Sequence, residues 1–128
     1  MIKYQELEKK VMEALLSGES DTLFLLRQQY EKSRVIEVDE TGCGVFFSYH
    51  CDEVGLKKFK NDFQFGDVLV NTPDTRLPVG SILFIKNGYI DTLELFAYDE
   101  WSDFSDGYTV IYDSDTRDLS MVENQVIV

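Results

Sequence analysis

Apolar residues recur every three or four positions at the start of the chain. Tyr4, Leu7, Val11, Ala14 and Leu15 form one stripe, widened by Met12 and Leu16, while Glu6, Lys9, Lys10 and Glu13 take much of the rest. That period is the signature of an amphipathic helix. Gly18 offers a stop and Ser20-Asp21 a capped restart, after which Leu23, Phe24, Leu26 and Tyr30 supply a second apolar face. The pattern predicts two helices, about 3–17 and 21–32, joined by a tight connection.

The period changes after Arg34. Val35-Ile36-Glu37-Val38 is β-branched, Asp39-Glu40-Thr41-Gly42 is turn chemistry, and from 43 to 51 Cys43, Val45, Phe47, Tyr49 and Cys51 alternate with Phe46, Ser48 and His50. A hairpin is expected there. The stretch 52–66 is less regular, and Leu56, Phe59 and Phe63 predict a short helix with its lysines facing water. Asp67-Val68-Leu69-Val70 reads as a short strand, and Pro78 precedes a stronger one at 81–86. Asn87-Gly88 then joins it to a returning strand at 89–98, because both residues accept the positive φ of a tight hairpin turn. Tyr108-Thr109-Val110-Ile111-Tyr112 is a further strand, and Val126-Ile127-Val128 either another strand or a cover for the core. No internal repeat, linker or low-complexity run interrupts the chain. The expected fold is α+β, one domain over 1–128, with an N-terminal helical pair packed on a mostly antiparallel sheet.

Composition sharpens this picture. With 128 residues, nine Phe, seven Tyr and one Trp, the chain can fill a core of its own. No run nears the roughly 18 apolar residues of a membrane span, and the start lacks a basic flank before an apolar segment, so a cytoplasmic location is expected. Cys43 and Cys51, at the two ends of one strand, lie too far apart to bond there and read as free thiols. The 24 acidic residues against 12 basic ones give a formal charge of -12. Residues 1–64 hold nine basic and twelve acidic groups, residues 65–128 three and twelve. Such a field repels nucleic acid and anionic membranes and attracts a basic protein, with the second half as the more acidic surface.

The usual catalytic signatures are missing: no phosphate loop, no dinucleotide fingerprint, no nucleophile elbow, no Cys-x-x-Cys. His50 is the only histidine and neighbours Cys51, but adjacent strand residues point to opposite faces. Asp113-x-Asp115 opens like a calcium loop, yet Asp118 and Asn124 stand where such a loop needs glycine and glutamate. No cofactor and no metal site is expected. Among carboxylates, Glu94 shares by parity a face with Ile90, Thr92, Phe96 and Tyr98, where a rim position paired with Lys86 or a backbone N–H is the expected state. With Asp67 it forms the alternative reading, a small carboxylate-based enzyme or ligand-binding domain.

The segment 99–118 looks most like a surface built for a partner. Seven acids face one base there, Arg117, and aromatic rings interleave with them. Asp99, Glu100, Trp101, Asp103, Phe104, Asp106 and Tyr108 are the expected binding residues, since rings give desolvated contact while carboxylates select Lys or Arg, with Trp101 reading equally as a lid over the core. The expectation is a noncatalytic acidic module that binds a basic protein. A homodimer through apolar sheet edges is a further alternative.

The run Gly80-Ser81-Ile82-Leu83-Phe84-Ile85-Lys86-Asn87-Gly88-Tyr89-Ile90, followed by Leu93-Glu94-Leu95-Phe96-Ala97-Tyr98, resembles small uncharacterised bacterial proteins. They carry a glycine, an apolar strand, an Asn-Gly or Asp-Gly turn, Leu-Glu and an aromatic residue. Thr41-Gly42-Cys43-Gly44-Val45-Phe46-Phe47 suits the same pattern, and the resemblance covers about half the chain. Some proteins of this style resemble immunity partners of bacterial toxins. The resemblance therefore implies an immunity protein that sequesters a basic toxin; it implies no catalyst.

Overall fold

The structure, a computed structural model, describes residues 4–128. Residues 1–3, with the expected start of the first helix and the charge pattern of the chain's opening, lie outside the described residues. Helices α1 (Gln5–Leu15) and α2 (Asp21–Glu31) lead into strands β1 (Ser33–Glu40), β2 (Gly44–Cys51), β3 (Phe63–Phe65), β4 (Val68–Asn71), β5 (Val79–Lys86), β6 (Tyr89–Ala97) and β7 (Thr109–Tyr112). A one-turn helix, α3 (Ser120–Glu123), follows. All strand pairs are antiparallel, in the order β1-β2-β6-β5-β4-β7, with β3 beside Leu83, Phe84 and Ile85 of β5. The fold is α+β, with the N-terminal helices packed against an antiparallel sheet.

The helices form where the stripe predicts them, and their ends are fixed by polar groups. Ser20 caps α2, its hydroxyl accepting from the Leu23 amide at 3.1 Å. At the C-terminus of α1 two arginines take the orphaned carbonyls. Arg27 donates to Leu16 O at 2.6 Å and Gly18 O at 2.8 Å, and Arg117 donates to Leu15 O at 3.0 Å and to Ser17 O. One buried cluster joins Leu7, Val11, Met12, Leu15, Leu23 and Leu26 of the helices to Val45, Phe47, Val70, Leu83, Leu93 and Leu95 of the sheet.

The Asn87-Gly88 turn has the expected backbone, φ 54° and 94°. A Cβ at Gly88 would stand 2.7 Å from the Lys58 side chain, so the position needs glycine for space as well as for conformation. Gln29 of α2, fully buried, holds this turn. Its Nε2 donates to Gly88 O at 2.9 Å and to Lys57 O at 3.3 Å, and its Oε1 accepts from Ile90 N at 3.1 Å.

Two sequence expectations fail. The stretch 52–66 holds no helix; Phe59 and Phe63 are buried and meet edge to face at 5.1 Å, but 58–60 runs beside the chain's end. Lys58 and Val128 exchange backbone hydrogen bonds, Lys60 N donates to Val126 O, and Phe59 bridges Ile127. The partner that makes this segment extended lies some 70 positions away, outside any local window. The second failure is the face given to Ile90. Ile85 pairs with Ile90 but Phe84 with Thr92, so Asp91 is an extra residue, and the bulge turns Ile90 into the core, away from Glu94.

Candidate binding face

Residues of all three helices and of one sheet face share a single buried cluster, and among the described residues no helix or strand covers the other face. Three rows of paired residues cross this uncovered face. One runs Asp39, Phe46, Glu94, Ile82. The next runs Glu37, Ser48, Thr92, Phe84, Gln64, and the third Gly44, Phe96, Gly80, Leu69, Ile111. Because side chains alternate along a strand, residues paired in a row share a face. Phe46, Leu69, Ile82, Phe84, Phe96 and Ile111 are half-buried, and none belongs to the core or packs against it. They make an apolar band in the centre of the sheet, with Asp39 and Glu37 on its β1 edge and Glu94 inside it.

Glu94 therefore does lie on a half-buried apolar face with Thr92 and Phe96. It makes no hydrogen bond or ion pair among the described residues, and Lys86, its expected partner, instead lies over the Phe84 ring with Nζ 5.8 Å from the centroid. Asp67 is occupied. Gly66 crosses β5 so closely that a Cβ would sit 1.8 Å from Ser81 O, and the chain there delivers Asp67 into the interior. Its two oxygens accept from Arg117, Nε at 2.6 Å and Nη2 at 3.1 Å, while the guanidinium stacks 4.5 Å from the Tyr112 centroid. Asp67 is a structural anchor for the arginine that caps α1, with both oxygens engaged in that pair.

The acidic aromatic segment divides into rings turned inward and charges turned outward. Trp101, Phe104, Tyr4 and Tyr108 form an edge-to-face cluster with centroids 5.2 to 6.2 Å apart. Phe104 is only 8% exposed and sits at φ 60°, held by its amide on Ser102 Oγ at 2.8 Å, while Ser102 donates to the Asp74 carboxylate. Its ring is closed to a partner, and Trp101 is half-covered. Tyr108 donates to Glu6 at 2.8 Å, and Tyr112 to Ala14 O at 2.8 Å, so this side of β7 braces α1. Asp103 folds onto Ser105, and Asp99 pairs with Arg76 at 3.2 Å. Glu100 and Asp106 are exposed. Asp113, Asp115 and Asp118 do not converge; among the described residues no three His, Cys, Asp or Glu side chains are placed to hold a metal ion.

Glu8 is the group that sequence reasoning passed over. It stands four residues after Tyr4 and four before Met12, within the apolar stripe of α1, which was the available signal. Only 5% exposed, its Oε2 accepts from Tyr49 at 2.6 Å and Tyr30 at 2.9 Å. Burial pushes its pKa up against the opposing effect of the two hydroxyls, and the same burial, with the carboxylate beside them, raises both tyrosines. A cleft of about 270 Å³ lies alongside, between α1 and the start of β1, with Ser33 and Arg34 in its wall. The arrangement ties α1, α2 and β2 together through one carboxylate.

Fold and site together define the class: a two-layer α+β domain with an uncovered, acid-flanked apolar sheet face. Comparison with family models, with curated proteins and with solved structures found no match to this chain. Among the described residues no helix is long and apolar enough to cross a membrane.

Proposed function

We propose that this chain is a noncatalytic module that binds a basic protein on the uncovered face of its sheet. An immunity protein occluding a basic toxin is the form that the resemblance of its β5–β6 hairpin implies. The observation that carries the reading is the row Asp39, Phe46, Glu94, Ile82, in which carboxylates and apolar groups alternate across the sheet with no helix or strand of the described residues over them. Apolar contact supplies binding energy once covered, and a carboxylate inside the band is costly to cover unless the partner brings a cation to it. A second copy of the chain fits poorly, because two surfaces of net charge -12 repel and bring like carboxylates together. The acids of the 99–118 segment, above all Glu100 and Asp106, add long-range attraction, and its rings contribute by fixing the segment.

The test is titration of the chain with the product of the neighbouring gene, which the proposal requires to be basic. A saturable one-to-one complex is expected, weaker at higher salt, and lost in Phe84→Asp while circular dichroism stays native. No saturable binding, or binding indifferent to Phe84→Asp, defeats the proposal.

The second reading, a small ligand-binding or carboxylate-based site, is favoured by one observation, the Glu8 carboxylate beside its cleft. It requires a small molecule whose addition shifts the NMR signals of Glu8 and Tyr49 together, and a fragment screen in which none does so removes it.

A further inference from the structure

The uncovered face is not flat at its β4 end. A cavity of about 570 Å³ opens there, and its wall is mostly apolar. Leu69, Ile82 and Phe96 line it from the sheet, and Leu77 and Tyr98 from the adjoining loops. Gly66 and Gly80 leave two positions without side chains, and the Phe96 ring takes the space above Gly80, where a Cβ would stand 2.4 Å from it. Tyr98 is 62% exposed and meets Phe96 edge to face at 5.2 Å, so one ring face stands at the mouth.

Among the described residues Asp113 is the only charged one in the wall. Its amide is used, donating to Asp67 O at 2.9 Å, but its carboxylate makes no hydrogen bond or ion pair among the described residues. The cation closest along the chain, Arg117, is committed to Asp67, and Arg76 to Asp99. The cavity thus offers an apolar channel, an exposed aromatic face and one unpaired anion.

The geometry points to an arginine side chain of the partner as the occupant, its stem along Leu69, Ile82 and Phe96 and its guanidinium at Asp113 beside Tyr98. This rests on the binding-face reading above. Arginine fits better than lysine because its planar, weakly hydrated head stacks on rings and matches a carboxylate with two parallel donors. An anionic or purely apolar side chain would leave Asp113 repelled or buried unpaired.

The probe is N-acetyl-arginine methylamide, titrated into the 15N-labelled full chain, with the lysine and citrulline analogues alongside. Saturable shifts are expected at the amides of Gly66, Gly80 and Ile82, with citrulline, which lacks the charge, at least about tenfold weaker and lysine about threefold weaker. Asp113→Asn and Tyr98→Ala, both at exposed positions, should each weaken the arginine probe several-fold. Equal binding of citrulline, shifts elsewhere, or indifference to Asp113→Asn overturns the inference. If the neighbouring gene's product binds and Phe84→Asp abolishes it, yet Asp113→Asn changes neither that complex nor the probe, the arginine seat falls and the binding face stands. If the probe saturates the cavity while the gene product does not bind, the seat stands and the partner reading falls.

Discussion

Gln29 and Glu8 are the polar side chains on which the packing of the helices turns. Gln29 satisfies Gly88 O, Lys57 O and Ile90 N from inside the core. Gln29→Ala removes these partners and leaves a cavity, so it should destabilise the fold by about 2–4 kcal/mol in urea titration, since each orphaned buried group costs about 1–3 kcal/mol. Gln29→Glu should also be destabilising, because it replaces two donated hydrogen bonds by repulsion between carboxylate and carbonyl oxygens. Glu8 gives a pH dependence of defined sign. Its folded pKa is raised above the ordinary 4.5, so the folded state holds the proton more tightly than the unfolded one. Stability from this group falls as pH rises from 4.5 through the raised value. In Glu8→Gln that local slope should disappear from the pH profile of stability, and carboxyl NMR of the native chain should show Glu8 titrating above its ordinary 4.5. An unshifted Glu8 would contradict the account. Neither role could be read from spacing, because Gln29 is polar at a helical position and its partners, Gly88 and Ile90, lie about 60 residues on.

Among the elements, local sequence is most reliable where one residue type decides the backbone. Asn87-Gly88 makes its turn because both residues tolerate positive φ, and Ser20 starts α2 because its hydroxyl accepts the Leu23 amide. The junction of β3 and β4 shows the opposite case. Gly66 is there to clear Ser81 O, and the consequence is felt on α1, whose last carbonyls are capped by the arginine that Asp67 holds. Breaking this pair strands a buried charge. Arg117→Ala should cost about 3–5 kcal/mol, and Arg117→Ala with Asp67→Ala less than the sum of the two single changes, a coupling that a double-mutant cycle measures. Arg117→Lys keeps the charge but loses the fork, and should restore only part of the stability. Additive single changes would show that the pair is not coupled.

For the whole molecule the charge of -12 acts on stability as well as on partners. Like charges repel most in the compact state, so raising sodium chloride from about 10 mM to 150 mM, which shortens the screening length from about 30 to 8 Å, should raise the melting temperature. A melting temperature that falls over this range would show that favourable pairs outweigh repulsion. The sequence by itself determined the two helices, the alternating strands, the β5–β6 turn and the excess of acid, because periodicity, turn chemistry and charge are properties of neighbours along the chain. Tertiary structure alone decided which rings are free. It turned Phe104 and Trp101 inward against α1, left Phe46, Phe84 and Phe96 on a face with no cover, and brought Asp113 to the cavity that Gly66 and Gly80 line. A ring among carboxylates reads the same on the chain in either place. Only the position of the helices, all on one side of the sheet, separates a ring that fills the core from one that can meet a partner.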